Sequence, residues 1–103
     1  MTDQVPDLEE TRRIVLKGLE GYPAKVCLFG SWARGEARRY SDIDVAISPL
    51  EPLPPGLLLE IEEALDQSQV LYPVELVDLT TATESLRERV AAEGIPWNAY
   101  RSA

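Results

Sequence analysis

Leu8, Val15, Leu16 and Leu19 fall on one stripe at helical spacing, which predicts a first helix opening around Pro6 and Asp7. Asp7 and Glu10 have the spacing of a capping box at its start, and Gly21 and Pro23 are its stop signals. Lys25 to Phe29, KVCLF, is short and mostly apolar between turn residues and reads as a buried strand. Trp32 to Arg39 predicts a short helix. Asp42 to Ile47, DIDVAI, then alternates strictly: Asp42, Asp44 and Ala46 share one face of a strand, and Ile43, Val45 and Ile47 share the other.

Ser48 to Gly56 contains four prolines and is expected to be a loop. Leu58, Ile61 and Leu65 mark a longer helix, with Glu60, Glu62, Glu63 and Asp66 on its solvated side. Val74 to Leu79, VELVDL, reads as a third strand, with Pro73 at its start, where a missing N–H is tolerated. Thr81 and Glu84 have the spacing of a second capping box, before a last helix through Leu86 and Val90 that Gly94 and Pro96 stop. Helices and strands alternate, so the expected fold is a small α/β or α+β domain.

The 103 residues suit one domain spanning positions 1–103, and a hydrophobic fraction of 45% is enough to fill a modest core. The chain carries no internal repeat, no signal-peptide layout and no apolar run approaching a membrane span, so a soluble cytoplasmic protein is expected. A net charge of −8 argues against direct nucleic-acid binding, which favours a basic face. With one cysteine and no histidine, an internal disulfide, the usual zinc sites and every histidine-based catalytic system are excluded. Chemistry must run on carboxylates, arginines, hydroxyls, backbone amides and metal ions.

Leu28 to Ile47, LFGSWARGEARRYSDIDVAI, offers such chemistry. Gly30 lets the backbone turn sharply and approach a ligand without a Cβ in the way. Ser31 opens a helix whose free N–H groups, with the hydroxyl, can hold a phosphate oxygen. Asp42 and Asp44, two apart on a strand, point to the same side. Carboxylates that close repel unless a cation sits between them, and a half-occupied set of hard oxygen ligands suits Mg2+, which takes its remaining ligands from water and nucleotide phosphates. Residues 25–44 hold four basic against three acidic side chains, a positive island in an acidic chain where a triphosphate would be attracted. Gly30 and Gly35 have P-loop spacing, but Glu36 stands where the phosphate-binding lysine must be.

The pattern Gly30-Ser31-x10-Asp42-x-Asp44, with Ala33-Arg34-Gly35 and Ser41 in the usual places, resembles the minimal nucleotidyltransferase (MNT) branch of the polymerase-β-like superfamily. The resemblance covers nearly the whole chain. It implies a mixed sheet flanked by helices, two Mg2+ ions, ATP as substrate, and transfer of a nucleoside monophosphate from the triphosphate. It also implies a partner: such proteins are typically antitoxins that silence a HEPN ribonuclease toxin by adding AMP to one of its tyrosines. Asp42 and Asp44 would be catalytic and hold metal, and Gly30, Ser31, Arg34 and Ser41 would contact the nucleotide. The superfamily has a third acid on a later strand. Glu75 and Asp78 have opposite parity, so only one can face the site, and the family pattern matches Glu75, where aspartate is more usual.

A domain of this size has no room for the extra domains of polymerases and antibiotic nucleotidyltransferases, so a protein acceptor is favoured. The alternatives are an antitoxin that neutralises its toxin by binding alone, and a small-molecule nucleotidyltransferase completed by a helical partner subunit. Cys27 is expected in the core, Trp32 packed on the sheet rather than on a base, and Arg38 and Arg39 solvated. Trp97 and Tyr100 are left between core closure and a partner contact.

Overall fold

The computed structural model describes residues 6–37 and 41–98. Its elements are α1 (Pro6–Gly18), β1 (Ala24–Phe29), α2 (Ser31–Arg34), β2 (Ile43–Pro49), α3 (Leu57–Asp66), β3 (Val74–Asp78), α4 (Glu84–Glu93) and β4 (Ile95–Pro96). The strands form one sheet in the order β3-β2-β1-β4. β1 runs antiparallel to both β2 and β4, and β2 runs parallel to β3, so the sheet is mixed. Among the described residues no helix is long and apolar enough to cross a membrane.

The alternation of DIDVAI divides the molecule into two layers. Ile43, Val45 and Ile47 are fully buried on one face, together with Val26 and Leu28 of β1, Val15 and Leu19 from the first helical segment, and Ile61 and Leu65 of α3. The opposite face is smaller. There Phe29 and Ala46 pack with Val90 of α4, joined by Cys27, Val77 and Leu86. Burial pushes the Cys27 thiol pKa up from its ordinary value, against a weaker pull from Lys25, which suits an unreactive packing role.

Several local expectations are corrected. Asp7 lies inside α1, and its Oδ2 accepts from the distant Leu71 N–H at 2.7 Å, while Glu10 pairs with Arg13; no capping box joins Asp7 to Glu10. The last helix is capped by Thr83, whose Oγ1 accepts from Leu86 N–H at 3.2 Å, because Thr81 is drawn into the turn on the Asp78 carbonyl. The helix expected over Trp32–Arg39 is four residues long and ends at Gly35, which turns left-handed at φ 74°. Arg38, Arg39 and Tyr100 lie outside the described residues. Strand β2 runs two residues beyond the expected end, to Pro49.

The two-residue strand β4 was not expected at all. It pairs Ile95 with Leu28 and Pro96 with Cys27, and delivers Trp97 into the main core. Trp97 N–H donates to the Val26 carbonyl at 2.8 Å, and the Asn98 side chain continues the pairing by accepting from Val26 N–H and donating to the Ala24 carbonyl. Trp97 is therefore core closure.

Candidate active site

The site grows from the end of β1. Gly30 follows Phe29 with φ 80° and ψ −156°, a backbone region that side-chain-bearing residues almost never occupy. A Cβ there would also run into the Asp44 carboxylate, whose Cγ would lie 3.2 Å away. Conformation and space both demand glycine. Ser31 then opens α2, whose first N–H groups have no intrahelical acceptors.

Strand register brings the acids together. Phe29 lies opposite Asp44 across the antiparallel pair, and Asp44 lies beside Glu75 across the parallel one. Glu75 therefore shares a face with Asp44. Asp78 pairs with Ile47 on the opposite face, where its Oδ1 accepts from the N–H and hydroxyl of Thr80 at 2.9 and 2.6 Å and ends the strand.

A cleft of about 400 Å3 gathers Gly30, Ser31, Arg34, Asp44 and Glu75. Phe29, Val77 and Leu86 supply apolar walls. Ser41 and Asp42 do not line it. Asp42 stands exposed just before β2, and the Ser41 carbonyl accepts from Trp32 Nε1 at 3.1 Å. Among the described residues, no three acidic or cysteine side chains converge closely enough to form a ready metal cage.

Burial pushes the half-buried Asp44 carboxyl up from its ordinary pKa; the negative charges of Glu75 and Asp42 push the same way, and Arg34 opposes them. The guanidinium of Arg34 is already engaged, with Nε 2.9 Å from Glu36 Oε1 and one terminal nitrogen 3.1 Å from Glu93 Oε1. Both pairs raise its pKa, and the one with Glu93 tethers α2 to α4. Arg89, which the sequence reading missed, also lines the cleft and makes no hydrogen bond or ion pair among the described residues. The sequence offered no signal for it, since only the fold brings α4 over this face of the sheet.

Trp32 is half-buried against the main core, as expected, and its ring meets Tyr72 edge-on with centroids 5.1 Å apart at 78°.

Residues 15–96, which include every one of these groups, match the family model described as Polymerase beta, Nucleotidyltransferase. The chain belongs to that family. A solved structure described as a minimal nucleotidyltransferase is 33% identical, with 88% of this chain aligned to 93% of that one at a TM-score of 0.71. Within the family, this chain is thus a minimal nucleotidyltransferase. A toxin–antitoxin structure solved with AMP-PNP is 27% identical, covering 87% of this chain and 74% of that one at a TM-score of 0.70. Over 63 residues the chain is 40% identical to a Haemophilus influenzae protein named "Probable protein adenylyltransferase MntA", a match over 61% of this chain and 55% of that protein. The minimal nucleotidyltransferase described here thus spans about half the length of that curated relative.

Proposed function

We propose that this minimal nucleotidyltransferase is a cytoplasmic antitoxin that adenylylates its toxin, transferring AMP from ATP to a tyrosine of a partner HEPN ribonuclease. The observation that carries the reading is the placement of Asp44 and Glu75 side by side over Gly30 and Ser31 in one cleft. The name of the Haemophilus relative and the toxin–antitoxin neighbour solved with AMP-PNP support the choice of acceptor and nucleotide.

The donor set fits Mg2+. Asp42, Asp44 and Glu75 are hard oxygen donors, and the ionised form of Asp44 is disfavoured where it stands, a cost that a cation would relieve. Three carboxylates that do not close into a cage suit an ion that completes its shell with water and phosphate. Bound there, Mg2+ would supply charge stabilisation for the attacking and leaving oxygens.

The chain's own residues do the rest. Gly30 admits the triphosphate close to the backbone, the Ser31 hydroxyl and the N–H groups opening α2 hold its β- and γ-phosphates, and Arg89 and Arg34 face the same cleft. The tyrosine oxygen attacks the α-phosphorus, the bond to the bridging oxygen breaks, and diphosphate leaves in line. The hydroxyl proton passes to Glu75. The acceptor tyrosine is presented by the partner.

The test is to mix the protein with ATP, Mg2+ and the HEPN protein encoded beside it, then take an intact mass. One or more AMP additions on the partner, lost with Asp44→Asn, are expected. A silenced partner of unchanged mass would replace this reading with inhibition by binding alone.

A further inference from the structure

Asp42 is the member of the acidic pair that the cleft does not enclose, so its carboxylate depends on its backbone for placement. That backbone is held from both sides. The residue before it offers its carbonyl to Trp32 Nε1 at 3.1 Å, and the residue after it, Ile43, donates its N–H to the Pro73 carbonyl at 2.8 Å. The two anchors are braced against each other, because Trp32 and Tyr72, the neighbour of Pro73, meet edge to face. Trp32 directly follows Ser31, and Pro73 directly precedes the strand that carries Glu75.

We propose that Trp32 is a positioning residue: its indole N–H, aimed by the contact with Tyr72, fixes Asp42 relative to the Gly30–Ser31 turn. The indole nitrogen is a donor only, so its bond to a carbonyl has one sense, and the ring packs on the main core, which leaves that N–H little freedom to turn away. The inference rests on the reading above, in which Asp42 is a ligand of a metal–nucleotide complex. It adds that the affinity for this complex is set partly by a side chain that touches neither metal nor nucleotide.

Replacing Trp32 with benzothienylalanine keeps the bicyclic shape and exchanges the N–H for sulfur; Trp32→Phe is the genetically encoded second variant. The readouts are Mn2+·ATP affinity by electron paramagnetic resonance and the urea midpoint without ligand. The expected result is about tenfold weaker Mn2+·ATP binding, the usual scale for losing an outer partner of a ligating group, at an unchanged urea midpoint. Equal Mn2+·ATP affinity in the benzothienylalanine protein and its parent would overturn the positioning role and leave the proposed function standing. A loss of affinity accompanied by a lowered midpoint would also overturn it, in favour of general packing. Failure of the parent itself to bind Mn2+·ATP would instead remove the proposed function, and this inference with it.

Discussion

Gly30→Ala separates two costs that the structure superimposes at one atom. The first is conformational: at φ 80° and ψ −156° an alanine is strained by about 1–3 kcal/mol. The second is steric, because the new methyl would displace the Asp44 carboxylate, with Cγ at 3.2 Å and Cβ at 3.4 Å. Gly56, at φ 84° and ψ −4°, has nothing within 4 Å of where a Cβ would stand, so Gly56→Ala reports the milder strain of the left-handed helical region without a clash. In a domain of this size each 1 kcal/mol corresponds to about 4–8 °C in the melting temperature. The assay is a double-mutant cycle on urea unfolding with Gly30→Ala, Asp44→Ala and the pair. Gly30→Ala should cost more than Gly56→Ala, and the steric part of its cost should reappear as a coupling of about 0.5–3 kcal/mol with Asp44→Ala. Additive effects would refute the idea that the carboxylate occupies the space over Gly30. Gly30→Ala should also abolish AMP transfer in the Asp44 background, since the displaced acid is the one on which the cleft is built.

Asp44→Asn should stabilise the unliganded fold while destroying transfer. The folded-state pKa is raised, so ionised Asp44 costs stability at neutral pH, a cost relieved as the pH falls through that raised value. The variant should therefore gain about 0.5–1 kcal/mol near pH 7, the scale of a solvent-screened charge interaction, and the gain should vanish below the ordinary aspartate value of 3.8; a constant difference across pH would contradict this cause. Thr83→Ala removes the cap of α4 and should cost about 1 kcal/mol in urea unfolding, whereas Thr81→Ala should cost less. Arg89→Ala should raise the KM for ATP several-fold at an unchanged unfolding midpoint, and an unchanged KM would remove Arg89 from the phosphate site.

The main layers were legible because burial wrote them into the sequence at fixed periods. Ile43, Val45 and Ile47 are buried and Asp42 and Asp44 are not, and the parity that separates Glu75 from Asp78 is the parity of the observed faces. Choices between chemically equivalent neighbours were less legible. Thr81 and Thr83 can both cap a helix, and the Asp78 carbonyl decides between them from outside the motif. The helix after Ser31 stops at Gly35 because that residue turns left-handed, although the residues beyond it are good helix formers. Strand β4 had no signature, since two exposed residues beside a glycine show no period, and its pairing is fixed by Trp97 and Asn98 further on. The residues of the cleft were mostly read from motif spacing. Arg89 was not, because only the fold brings α4 over that face of the sheet.

The Asn98 clasp on β1 bears on the timing of synthesis. Among the described residues, the outer edge of β1 finds its partners in residues 95–98, across separations of about 70 positions. On the ribosome that edge stays open, and the Trp97 cavity unfilled, until nearly all of the described chain has emerged. Such late, distant closure slows folding and leaves strand edges exposed to wrong partners meanwhile. The nascent chain can thus complete its sheet, and with it the frame of the cleft, only after residues 95–98 have emerged.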